Sequence, residues 1–311
     1  MSVANNMSET LACHQPMTRS TQGDAASSQR PWLSLLWFGG LLAISYAFVL
    51  SRLAQQWFTD DDMSHGMFVP PLVAYIVWQR WSVLRKLPAV SNAWGALLMA
   101  LGACMLCIGP PSLPTFVFMS RVGFVFSLVG LVLFLRGSRT VAELAYPFLL
   151  LFFMIPLPGF VFQKLTLPLQ FMASLLSENL LTAFGYSVLR EGNVLQLPGQ
   201  TLNVVEACSG LRSLLSLSFL AQAYAYLFDR RPWMRIALGI VIVPIAVAAN
   251  AFRITLSAIA GGLNPEWGHG RYHDFTGWSV FVFSFIFLLI SHWLIGLAAK
   301  SLKQRGAHAA S

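Results

Sequence analysis

The sequence predicts an all-α polytopic membrane protein, and three observations carry that expectation. Only 10% of the 311 residues are charged and 56% are hydrophobic, whereas a soluble domain carries about 25% charged residues. Mean hydropathy is +0.65, and apolar runs near the length that crosses roughly 30 Å of hydrocarbon recur along the chain. The net charge of +8 sits in short segments between those runs, so it speaks for membrane topology and against a nucleic-acid partner.

Taken in order, residues 1–30 are polar and rich in Ser, Thr, Gln and Ala, without the apolar core of a signal peptide, and are expected to be a disordered cytoplasmic tail. Residues 31–300 form the transmembrane domain, and 301–311 a second cytoplasmic tail. About eight spans are expected: 32–51, 66–82, 93–109, 115–135, 141–157, 210–228, 234–260 and 277–298. Pro70-Pro71 suits the start of the second span better than its interior. The region 164–184 is apolar but carries Lys164, Gln170, Glu178 and Asn179, which predicts an amphipathic helix lying in the interface.

Charge then orients the spans. With the N-terminus inside, cytoplasmic segments hold Arg19 and Arg30, Arg80, Arg85 and Lys86, Arg136 and Arg139, Arg230, Arg231 and Arg235, and Lys300, Lys303 and Arg305. Both termini are thus expected in the cytoplasm, with the acidic run Asp60-Asp61-Asp62 on the other face of a bacterial inner membrane. Counting 164–184 as a ninth span would carry Arg230, Arg231 and Arg235 outside.

The one long extramembrane region is therefore external, from Pro156 to Ala207. Glu191-Gly192-Asn193 and Pro198-Gly199 are turn signals between short β-favouring runs. They predict a small external hairpin or three-stranded patch that leads to Cys208 at the mouth of the sixth span. A thiol at a helix start is favoured as thiolate by the free N–H groups there.

Two further ionisable groups join it on that face. Arg253 lies about 28 Å along the seventh span by helical rise, and His273 just precedes the eighth. Each has a plain structural use as well: a small buried thiol, an arginine snorkelling to lipid, a solvated loop histidine. Asn250, one turn before Arg253, can equally bond a neighbouring helix. Together, thiol, imidazole and guanidinium suit acyl transfer. The thiolate attacks a peptide carbonyl, the imidazole moves the proton, and the guanidinium stabilises the oxyanion.

The runs Glu206-Ala-Cys208-Ser-Gly-Leu-Arg-Ser-Leu, Asn250-Ala-Phe-Arg253-Ile and His273-Asp-Phe-Thr-Gly277-Trp, in this order, resemble the exosortase family, as does Ser64-His65-Gly66-Met-Phe-Val-Pro70 upstream. The resemblance implies a membrane cysteine transpeptidase or protease with Cys208 as nucleophile, His273 as general acid/base and Arg253 as transition-state stabiliser. It also implies PEP-CTERM-type substrates: proteins ending in a Pro-Glu-Pro-like motif, a transmembrane helix and a basic tail, sorted alongside exopolysaccharide production. Their anionic motif would sit at the periplasmic interface, where Arg212 or Arg271 can pair with it. No cofactor and no metal is expected. Cys104 and Cys107 share an apolar helix without His or acid nearby, and the external acids with His65 read as topology charges. The alternative class is a multi-span transporter or polysaccharide-export component, against which the lack of an inverted repeat argues.

Overall fold

Two pairs of glycines set the tightest helix contact. Gly95 and Gly102 on α5 (Trp94–Cys107) face Gly130 and Gly123 on α6 (Pro114–Arg136). A Cβ at Gly123 would meet the Gly102 carbonyl oxygen at 2.7 Å, and one at Gly130 that of Gly95 at 2.8 Å. Bare backbones can touch here, which is how helices associate where lipid removes the hydrophobic driving force. The computed structural model describes the backbone of residues 22–108, 113–204, 210–229, 231–263 and 271–309. Cys208 lies outside the described residues, as do the side chains of Arg212, Arg271 and His273.

Helix α1 (Gln22–Ser45) begins inside the stretch expected to be a tail and breaks at Tyr46, where α2 (Ala47–Thr59) turns off by 72°. The Tyr46 hydroxyl donates to Gly102 O at 2.8 Å and lies 3.0 Å from Ser127 Oγ, so the break is pinned to the glycine seam. A 3-10 segment (Asp61–Phe68) follows, then α3 (Val69–Gln79) and the single turn α4 (Trp81–Leu84). Beyond α6 come α7 (Ser138–Glu143) and α8 (Ala145–Leu151), and then α9 (Gly159–Ala183), at 92° to the segment before it. The second half has α10 (Gly210–Phe228), α11 (Pro232–Leu263) and α12 (Arg271–Ala309).

Among the described residues three helices are long and apolar enough to cross a membrane, Pro114–Arg136, Pro232–Leu263 and Phe281–Ser301, and up to five spans result if each bent pair is one. The remaining expected spans are short or interrupted. Residues 66–82 give the 11-residue α3, only about 16 Å long. Residues 141–157 break at Leu144 and again before Pro156, where the backbone turns extended.

Between α9 and α10 runs a three-stranded antiparallel meander, β1 (Leu189–Glu191), β2 (Val194–Leu197) and β3 (Gln200–Asn203). Its turns fall at Gly192 and Gly199, both at positive φ (62° and 87°), as the turn signals predict. Leu195 pairs with Arg190 on one side and Leu202 on the other. Leu195 and Val204 are fully buried in one cluster with Ala173 and Leu181 of α9 and Ala251 and Ile254 of α11. The sheet is thereby seated on α9 and α11, and Gln200 Nε2 donates to Ala258 O at 2.6 Å to hold its edge against α11.

Helix α9 exposes Lys164 and Asn179 but buries Gln170. Its buried stripe is Thr166, Gln170, Ala173, Ser174, Ser177 and Leu181, while Phe160, Phe171, Met172 and Leu176 point outward. Gln170 is therefore interior, not part of a solvated polar face. Small polar residues pack against another helix and apolar ones meet lipid, the reverse of a water-soluble helix.

Candidate active site

The seam between α9 and α11 is polar because the stripe on α9 is polar. Ser177 Oγ donates within hydrogen-bonding distance of Ala173 O (2.8 Å) and of Ala251 O across the seam (3.0 Å). Asn193, in the first hairpin turn, reaches Gln170 Oε1 at 3.5 Å, and Ser174 Oγ lies 3.3 Å from Gly192 O. The Arg190 guanidinium donates to Glu178 Oε2 at 2.7 Å and stands over the Phe171 ring. Hairpin, α9 and α11 are thus one polar-bonded unit.

Toward this seam α11 turns Asn250, and one turn on it buries Arg253, with 8% and 6% of their surfaces exposed. Placing a guanidinium in an apolar helix interior costs several kcal/mol unless it is compensated, which makes Arg253 a candidate functional position. Arg253 is ten residues from the end of α11, about 15 Å by helical rise. Asn250 faces a crevice of about 10 Å³ together with Thr166 and Gln170 of α9 and Leu214 of α10. That volume suits a single water, and three polar groups there can bond one.

Val204, four residues before Cys208, donates its N–H to Asn193 O at 2.8 Å and is buried against Ala251 and Ile254. Leu214, six residues after Cys208, lines the crevice with Asn250. His273 belongs to the first turn of α12. Register along α11 and α12 is fixed by the Phe252–Phe283 stack, with centroids 5.1 Å apart. Ten residues separate Phe283 from His273, so the His273 backbone is offset about 15 Å along α12 from the level of Phe252. Arg271 starts the same helix, and Arg212 lies in the first turn of α10.

Two groups of polar residues were not legible as sites. His65, read from sequence as a topology charge, is 7% exposed, and its Nδ1 lies 3.1 Å from Ser216 Oγ on α10. It joins the N-terminal half to the helix that follows Cys208. Thr166 and Gln170 carried a signal, the four-residue spacing with Ser174 and Ser177 that puts them on one helix face.

At the opposite end of the bundle the polar groups pair with one another. Asp229, 6% exposed, accepts Arg231 N–H at 2.8 Å, Arg231 Nε at 3.0 Å and Arg231 Nη2 at 2.6 Å. His292 Nε2 lies 3.0 Å from Asp229 Oδ2, and its Nδ1 2.9 Å from the Tyr224 hydroxyl. A neutral imidazole carrying its proton on Nε2 satisfies both bonds. Hydrogen bonding to Arg231, against the opposing effect of burial, holds the Asp229 carboxyl well below the usual carboxylate range. Nearby, Arg80 binds Glu143 Oε2 at 2.7 Å and the Tyr226 hydroxyl at 3.1 Å. Among the described residues no cluster of His, Cys, Asp or Glu has the grouping of a metal site, and Cys104 and Cys107 are free thiols on the exposed face of α5.

Apolar helices with a polar seam buried beneath a small sheet define a helical membrane protein whose candidate chemistry lies at the sheet-bearing end. The chain belongs to the transmembrane exosortase family, whose model matches residues 57–290. That family consists of membrane cysteine proteases or transpeptidases that process sorting signals. No curated protein and no solved structure matches the chain.

Proposed function

We propose that this protein cleaves C-terminal PEP-CTERM-type sorting signals, with Cys208 as nucleophile, His273 as general acid/base and Arg253 as oxyanion stabiliser. The observation that carries the reading is the burial of Arg253 on α11, the helix against which Val204 packs and whose Asn250 lines a crevice with Leu214. Four residues of chain span at most about 14 Å, so Val204 tethers the thiol near that helix.

In this scheme the thiolate adds to the scissile carbonyl and the guanidinium holds the oxyanion. The imidazolium then gives its proton to the leaving amine as the C–N bond breaks, leaving a thioester on Cys208. Water or an amine takes the acyl group, and the thiol is restored. Arg212 and Arg271, at the starts of α10 and α12, receive the glutamate of the Pro-Glu-Pro motif, while Asn250 orients the crevice beneath. The charge distribution supports the sheet-bearing end on the periplasmic face of the inner membrane, with the termini cytoplasmic. It also supports the fuller eight-span topology, with the shorter apolar helices counted. Association with exopolysaccharide-linked sorting follows from the same family reading.

The test is to co-express a membrane protein bearing the tripartite signal with each single variant. Full-length substrate should accumulate with Cys208→Ala, Arg253→Ala and His273→Ala. Complete processing by Cys208→Ala would remove the peptidase reading and leave a transporter or export component standing.

A further inference from the structure

Away from the α9–α11 seam, a cavity of about 510 Å³ opens between α2 and the adjoining ends of α5 and α6. That is within the range of small-ligand sites, roughly 300–1,000 Å³. Arg136, at the far end of α6, donates to Leu84 O and Leu87 O beside the Arg80–Glu143 end of the bundle. The cavity is therefore at the other end, the one that bears the sheet.

Its walls divide by chemistry. Phe48, Met105, Leu106, Phe116 and Val117 make an apolar wall drawn from all three helices. Arg52 and Arg121 bring two guanidiniums, and Gln55 and Thr59 continue the α2 face toward its polar end. None of the lining residues is acidic. Asp60, at the end of α2, accepts the Gln56 amide at 3.3 Å.

Arg121 decides what the cavity is for. It is 6% exposed, and its Nε has no hydrogen-bond partner among the described residues. It lies in the second turn of α6, about 10 Å from the helix start. Arg136 on the same helix, 2% exposed, also leaves its Nε without a partner, but its Nη2 donates to two carbonyls and its guanidinium stacks over Trp32 at 4.1 Å. A buried cation lining a partly apolar cavity calls for an anion brought from outside the chain. Paired arginines match a phosphate in geometry as well as charge.

We propose that this cavity is a binding site for an anionic phospholipid, its phosphate held by Arg52 and Arg121 and its acyl chain laid along the wall of Phe48, Met105, Leu106 and Phe116. A headgroup joined to an aliphatic tail reproduces the polar-to-apolar gradient of the lining, which a free phosphate does not. The 72° break at Tyr46 turns α2 across the helix ends, where an amphipathic segment meets headgroups. The site is independent of the proposed peptidase chemistry, and lipid binding should be the same in Cys208→Ala.

Native mass spectrometry on delipidated full-length protein tests this, with phosphatidylglycerol, phosphatidylcholine, inorganic phosphate and an acidic Pro-Glu-Pro peptide as probes. The wild type should retain one phosphatidylglycerol about tenfold or more in preference to phosphatidylcholine. Arg52→Gln and Arg121→Gln should each weaken it about tenfold or more. Val117→Trp, which fills the cavity and keeps both cations, should weaken it similarly. Lipid-free Arg121→Gln should melt at or above the wild-type temperature, since it removes an unpaired buried charge, which shows that loss of lipid is not loss of fold. Equal retention of both lipids, or undiminished phosphatidylglycerol binding in Arg121→Gln and Val117→Trp, would overturn the proposal. So would displacement of the lipid by inorganic phosphate or by the acidic peptide, which would make the cavity a free-anion or substrate site.

Discussion

The two ends of the helix bundle bury polar groups to opposite effect. At one end Asp229, Arg231, His292 and Tyr224 use their hydrogen bonds on each other, and Arg80 joins Glu143 to Tyr226. At the other, Asn250 lines a crevice with Thr166 and Gln170, and Arg121 lines a cavity with Arg52. Groups that complete their bonds within the chain hold helices together, whereas a guanidinium such as Arg121, whose Nε has no partner among the described residues, is available to something that binds. Polar burial alone therefore marks neither stability nor chemistry; what each polar atom faces tells them apart.

Substitutions at each end should separate rate from stability. Arg253→Gln should lower sorting-signal processing about 100- to 1000-fold, measured per folded molecule, with little change in melting temperature. A large loss of melting temperature with unchanged specific activity would make Arg253 a packing residue. Asp229→Asn should do the reverse, costing about 2 kcal/mol of stability, a figure reduced from the buried-pair range because Arg231 is 41% exposed. Processing by the protein that remains folded should be unchanged, and a comparable drop in specific activity would couple the two ends.

The smallest effect is one of pH. Because the folded-state pKa of Asp229 is depressed, its contribution is fully present above the unfolded carboxylate pKa of about 3.9 and is lost as pH falls through the folded value. Melting temperature in detergent should accordingly drop less on acidification in Asp229→Asn than in wild type. Parallel acid profiles would show that the cluster contributes no proton-linked stability.

Much of the sheet-bearing end could be read from sequence, because its signals are local. Gly192 and Gly199 fix two turns whatever surrounds them, and the motif around Arg253 singled out the ionisable residue that α11 buries. The breaks in the spans were less legible. Window hydropathy registers the apolar residues on both sides of Tyr46 or Ile155 but not the bend between them, which comes from tertiary contacts such as Tyr46 to the Gly102–Ser127 pair. On α9, Gln170 was grouped with Lys164 and Asn179, which are exposed, whereas Gln170 is buried and lines the crevice with Asn250. His292 was passed over within an apolar span, though an ionisable group there is itself a signal. Arg121 drew no functional reading from the sequence, because its meaning depends on a cavity formed by three helices.

The central claim is that the face of α11 carrying Arg253 meets a substrate held on Cys208. Trapping that intermediate tests it most directly. Purified protein mixed with a sorting-signal substrate and quenched in acid should carry a substrate fragment on the Cys208 peptide, released by hydroxylamine and strongly reduced in Arg253→Gln. Substrate cleaved at the wild-type rate with no adduct on Cys208, and equally by Cys208→Ala, would contradict the account.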